Sequence, residues 1–198
     1  MNALLLLLLL KAPANQLKPP PSMGMSYFII PNKKTSCDDY FPDGLSFFFE
    51  QIGGYDDKAE VAQVSEILHI DLSVFQDVEY NAEDHTEADK HWHDIEPFTA
   101  IVDSLVAKIK AQPDYYKKII HNPDAKQQWA ELSRLSSMRD TAGYTRLSAT
   151  FEQQPYYFYP PDYGYLSEGR ILADLDALRQ ILACYKKNGV TKIRLEYR

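Results

Sequence analysis

The sequence predicts an α+β fold, a single domain in which central helices pack on a small, mostly antiparallel sheet formed by the terminal strands. Three observations carry this reading. Strand-like apolar runs lie near the two ends of the chain, at Tyr27–Ile30 and Val190–Tyr197. Helical spacing of apolar residues fills most of what lies between. The 198 residues, 45% hydrophobic and 25% charged, have the make-up of one ordinary globular domain with a core of its own. Helices grouped between strands that share a sheet are the α+β pattern.

Residues 1–24 stand apart from the domain proper, 25–198. Leu4 to Leu10 is an unbroken run of seven leucines, followed by Lys11, Pro13 and Pro19-Pro20-Pro21. With Ala3 the run makes a helix about 12 Å long, against the roughly 30 Å of a bilayer core, so no membrane span is expected. Ala12-Pro13-Ala14 has the small-residue spacing of a signal cleavage site, whereas no Lys or Arg precedes the leucines. Met23 and Met25 stand directly before the first strand-like run. The leader is read as either cleaved or assigned by a start codon placed too far upstream.

The elements follow in order. Tyr27-Phe28-Ile29-Ile30 is a strand ended by Pro31-Asn32. Leu45 to Ile52, with Phe47-Phe48-Phe49 inside it, is apolar on both faces and fits a buried strand or a buried helix equally. From Asp57, an N-cap candidate, Val61, Val64, Ile67 and Leu68 fall on one helical stripe. Residues 76–85 read as a loop. A helix beginning at Thr86 or Asp94 runs to Lys110 on Phe98, Ile101, Val102, Leu105 and Ile109; with the second start Pro97 sits in its first turn. Pro113-Asp114 opens a shorter helix, and Asn122-Pro123-Asp124 another, carrying Trp129, Leu132 and Leu135 and ended by Gly143. Thr145 to Phe151 alternates weakly and is read as a strand. Pro155 to Tyr165 is a Tyr/Pro loop. Ser167 is expected to cap a helix with Ile171, Leu172, Leu175, Leu178, Ile181, Leu182 and Tyr185 as its buried stripe and Gly189 just past its end. Ile193, Leu195 and Tyr197 then alternate with Lys192, Arg194 and Glu196 in a strand with one wet face.

Charge is the most informative feature. The chain carries a net −7, which argues against a nucleic-acid binder. Between Tyr55 and Glu96 thirteen acids face only Lys58 and Lys90, so that segment holds −11 and the rest of the chain +4. A patch of this size steers a basic protein partner and raises its association rate at low salt. The acids assigned to that surface are Asp77, Glu79, Glu83, Asp84, Glu87, Asp89 and Asp94. Tyr156, Tyr157, Tyr159 and Tyr163 of the Tyr/Pro loop are assigned as its aromatic anchors, because tyrosine supplies large amphipathic area at low entropic cost.

The same region suggests a metal site as an alternative, with His85, Asp89, His91 and His93 as ligands of a hydrolase. In a helix His91 and His93 point about 200° apart and share no ion; in an extended chain they lie on one face. No nucleophile is expected. Asp38 and Asp39 follow Cys37 and raise its thiol pKa, Cys184 lies beside the apolar stripe of the last helix and reads as core, and two cysteines are too few for a disulfide scaffold. G-x-S-x-G, G-x-G-x-x-G and P-loop patterns do not occur. No cofactor is expected, and no catalytic residue is assigned.

A small acidic α+β chain with a Trp-led helix (Trp92 to Ile109) and an amphipathic helix leading through Gly189 into a last strand resembles the immunity proteins of bacterial polymorphic toxin systems. The resemblance is one of overall style and rests on no diagnostic motif. It implies a non-catalytic, cofactor-free inhibitor that binds one cognate toxin and covers its active site or a nearby surface. It implies the cytoplasm, or the periplasm if residues 1–14 act as a signal peptide. A structural or accessory module of a mobile element, marked by self-association, is the remaining alternative.

Overall fold

The last strand of the chain organises the sheet. In the computed structural model, which describes residues 27–50, 59–79, 91–151 and 163–197, the centre is β4 (Lys192–Tyr197). On one side lies β1 (Tyr27–Pro31), antiparallel, with Ile29 opposite Leu195 and Pro31 opposite Ile193. On the other side lie two half-length strands, β2 (Val78–Glu79) and β3 (His93–Asp94). β3 runs antiparallel beside the first half of β4, His93 opposite Ile193; β2 runs parallel beside its second half, Val78 opposite Leu195. The sheet is mostly antiparallel and holds both terminal strands, as the sequence predicts; their direct pairing settles a strand order that the sequence leaves open. β2 falls within the stretch read as a loop, because two residues are too few to display a period of two.

That period puts Tyr27, Ile29, Ile193 and Leu195 on one face, where all are buried. Helices cover this face. In α1 (Asp43–Glu50) the helical period resolves the ambiguity of the apolar run: Leu45, Phe48 and Phe49 turn inward and Phe47 stays 42% exposed. Phe49 stacks on Phe75 of the short 3-10 turn Ser73–Phe75, ring centroids 4.0 Å apart. α2 (Glu60–Leu68) buries Val61, Val64 and Leu68 and stops at His69, whose φ of 49° is left-handed. The N-cap of α2 is Ala59, which offers no side-chain acceptor, and not the expected Asp57, which lies outside the described residues. α3 (Ile95–Ala111) begins after Asp94, with Pro97 in its first turn where the missing N–H costs nothing. Its buried stripe is Phe98, Val102, Leu105, Val106 and Ile109. The segment opened by Pro113 is only a 3-10 turn, Tyr115–Lys118.

Three helix boundaries differ from the sequence reading. The helix after Asp124, α4 (Ala125–Ser137), ends six residues before Gly143, at a turn where Arg139 takes φ 56°. Residues 145–151 are no strand: they belong to α5 (Thr141–Phe151), which folds back on α4. Gly143 sits at that crossing, where a Cβ would come within 3.0 Å of Leu135 Cδ2. Ser167 does not cap the last helix but ends a one-turn helix, α6 (Tyr163–Ser167). α7 (Arg170–Lys187) starts after Gly169, in the left-handed region at φ 73°. Leu172 and Ile181, at the margins of the predicted stripe, are only half-buried, whereas its other five residues, Ile171, Leu175, Leu178, Leu182 and Tyr185, are fully buried. Each such side chain contributes about 1.5–3 kcal/mol, several times the spread of helix propensities, so packing rather than propensity fixes α7.

The second face of β4 is the expected wet face only at its start, where Lys192 is exposed. Glu196 is 2% exposed, and Arg194 lies 3.7 Å from its carboxylate and 5.2 Å from the centre of the Trp92 ring.

The cysteines correct the sequence reading outright. Cys37 and Cys184 form a disulfide, Cα atoms 6.0 Å apart, that ties the segment after β1 to the last turn of α7. The same segment hydrogen-bonds the free edge of β1: the Ile29 amide donates to the Asp39 carbonyl and the Phe41 amide to the Tyr27 carbonyl. It also delivers Phe41 to the core.

Candidate functional site

β2 and β3 are the two banks of the acidic segment. The chain rises along β4 as β2 and descends along it as β3. Both banks hydrogen-bond the same strand, so Asp77, Glu79 and Asp94, fifteen or more positions apart in two pairs, come to one edge of the sheet. Glu83, Asp84, Glu87, Asp89 and His85 lie between them, outside the described residues.

Asp77 is the junction. Its Oδ1 is 2.5 Å from Nδ1 of His91 and its Oδ2 is 2.9 Å from Nε2 of His93. The stretch is extended, so His91 and His93 do share a side, as the extended alternative requires. What they share is a carboxylate. Two ligands of a tetrahedral metal stand about 3.3 Å apart, so atoms at 2.5 Å are hydrogen-bonded to each other rather than spread around an ion. Among the described residues no group of three or more His, Cys, Asp or Glu side chains has the arrangement of a metal site. Of the described part of the proposed ligand set, His91 hydrogen-bonds Asp77 and so links the two banks, and His93 lies against the same carboxylate without a hydrogen bond at its Nε2.

The aromatic anchors divide. Tyr156, Tyr157 and Tyr159 lie outside the described residues, and Tyr163 opens α6. Tyr165, the last tyrosine of the same loop, is core: it is 7% exposed and packs beside Phe48, ring centroids 6.3 Å apart.

A second polar cluster escaped the sequence reading. The Tyr165 hydroxyl donates to Asp174 Oδ2 at 3.0 Å. Burial raises the Asp174 carboxyl above its ordinary value, with the charge of Asp43 adding to the rise and the Tyr165 hydrogen bond opposing it. Gly44 fits because it has no side chain: a Cβ there would clash with Asp174 Oδ2 and the Tyr165 ring. Nearby, Tyr115 is 2% exposed and its phenol is pushed up by burial and by Glu60, which in turn meets His121 Nδ1 at 3.2 Å. Gln63 clamps the backbone of Ile120 through both its amide atoms, each at 2.8 Å. One signal for this cluster was in the sequence: Asp174 stands three residues after Ile171 and four before Leu178, an acid on an apolar stripe.

The chain matches no protein-family model, and no curated protein or solved structure is significantly similar to it. What the fold and site define is a single α+β domain with an acidic sheet edge. Among the described residues, no helix is long and apolar enough to cross a membrane.

Proposed function

We propose that this chain is a non-catalytic protein-binding inhibitor, an immunity protein that neutralises a cognate bacterial toxin through its acidic face and the Tyr-rich loop. The observation that supports it is the convergence of Asp77, Glu79 and Asp94 at the two banks of the acidic segment. Anchoring both banks on β4 fixes where that charge is displayed, so a basic partner meets a positioned surface rather than a tail. The toxin is a basic protein, and no cofactor takes part. Of the two compartments open to such an inhibitor, the Cys37–Cys184 disulfide favours the periplasm over the cytoplasm, where thiols are kept reduced. Residues 1–14 then act as the export signal.

The test is a low-salt pull-down from a lysate of the source organism, followed by binding kinetics on the captured protein. One basic protein, bound stoichiometrically and released by salt, is the expected result. Asp84→Asn, Glu87→Gln and Asp89→Asn together should slow its association about tenfold at low salt and leave dissociation nearly unchanged. Equal association rates for the triple variant and the wild type remove the acidic face from the mechanism.

A further inference from the structure

The α4–α5 hairpin stands outside the core. Leu132 and Leu135 are buried between its helices, yet neither joins the continuous apolar cluster of the domain. Helices of 13 and 11 residues are marginal on their own in water. How the hairpin is carried therefore depends on the neck that leads into it, residues 119–124.

That neck is fastened to one face of α2. Gln63 holds the backbone of Ile120 through both its amide atoms, each at 2.8 Å. Glu60 stands three residues earlier, hence on the same side of the helix, and meets Nδ1 of His121 at 3.2 Å. The two contacts differ in kind. The amide clamp is neutral and indifferent to pH. The carboxylate is 8% exposed, and His121 is its one ion-pair partner among the described residues. A buried carboxylate depends on the charge opposite it, and imidazole is the side chain that changes charge between about pH 5 and 8.

A second donor lies within the field of Glu60. The Tyr115 hydroxyl is buried and has no hydrogen-bond partner among the described residues. Burial, and then the charge of Glu60, hold its phenol well above the ordinary value. An unpaired hydroxyl beside a buried carboxylate supplies the other half of a two-state arrangement. The remaining ionisable groups of this region do not compete for Glu60. Lys117 is held by Asp114 at 2.8 Å, Lys118 and Asp124 are exposed, and Tyr165, within electrostatic reach of Tyr115, already donates to Asp174.

We propose that Glu60, His121 and Tyr115 form a proton-operated latch at the neck of the α4–α5 hairpin. At mildly acid pH the charged imidazole and the carboxylate hold the neck to α2. As pH rises His121 gives its proton to solvent, Glu60 accepts the hydrogen bond of the Tyr115 hydroxyl, and the neck keeps only the Gln63 clamp. The hairpin is then free to swing. The body of the domain is unchanged, because Tyr115 and Ile119 remain in its core.

Hydrogen exchange of the full chain, read by mass spectrometry, tests this without any foreign partner, so its result is independent of the inhibitor reading. Rates are corrected for the intrinsic pH dependence of exchange. Between about pH 5.5 and about pH 8.5 the amides of residues 119–137 should lose about tenfold in protection, while those of β4 and α7 keep theirs. His121→Gln and Glu60→Gln should each show the lower protection at both pH values with a native circular dichroism spectrum. Tyr115→Phe removes the alternative partner, so its neck should stay protected to a higher pH than in the wild type. A tyrosine that only fills the core would loosen the neck instead when so changed, and that result overturns the proposal. So does equal protection of the neck at both pH values, a pH dependence that survives in His121→Gln, or a loss of protection shared equally by β4 and α7.

Discussion

The hydroxyl of Tyr185, on the last helix, donates to the main-chain carbonyl of Ile29, on the first strand, at 2.8 Å and across 156 positions of sequence. Both residues are fully buried. The bond therefore ties α7 to β1 where no water competes for either group. Tyr185→Phe keeps the ring and leaves the carbonyl one partner short, so it should cost about 1–3 kcal/mol. Urea unfolding should show a lower midpoint with an unchanged slope.

The Cys37–Cys184 disulfide closes a loop of 147 residues. On the chain-entropy account a cross-link of that span stabilises by about 5 kcal/mol, chiefly by restricting the unfolded chain. Wild-type protein should melt at a markedly lower temperature in a dithiol reductant. The Cys37→Ser/Cys184→Ser double variant should melt at that lower temperature with or without the reductant. Identical melting of the wild type in both conditions would show that the bridge contributes nothing.

Asp174 predicts a pH dependence. Its folded-state pKa is raised by burial, so the folded chain holds this proton more tightly than the unfolded one. The stabilisation is complete below the ordinary carboxyl value of 3.8 and is lost as pH rises through the elevated folded value. Asp174→Asn is neutral throughout and still offers Tyr165 an acceptor oxygen. The variant should melt above the wild type at pH 7, and the gap should narrow as pH falls toward 4. A gap that widens on acidification would reverse the assignment.

Gly189 closes α7 at φ 74° and lies against the chain of Lys33, whose Nζ donates to the Asn188 carbonyl at 3.0 Å. Gly189→Ala should cost about 1 kcal/mol for the left-handed backbone alone. Gly189→Asn, which tolerates that region better, should cost less. Chemical denaturation of the two variants in parallel decides it.

The elements held by long, regular stripes were legible. α3 and α7 repeat apolar residues over four or more turns, and β4 alternates over six residues, so their periods stand out from noise. α5 did not stand out, because Leu147, Ala149 and Phe151 alternate by coincidence across a helix whose partner, α4, lies just before it in the chain. Tertiary packing of Leu135 over Gly143 decides that case. The disulfide could not be read, since nothing local marks two cysteines 147 residues apart as neighbours. Of the site, the acidic charge was legible and its anchoring was not: Asp77 was counted as one acid among thirteen, yet it is the residue that joins His91 to His93. Asp174 was overlooked because a single acid on an apolar stripe looks like an interruption rather than a buried group.

The split edge of the sheet has one more consequence. Every pairing of the described sheet runs through β4: β1, β2 and β3 each bond to it, and none of them bonds to another. A change that unseats the last six-residue strand therefore unravels the whole sheet at once, whereas the loss of either half-strand leaves the other pairings in place.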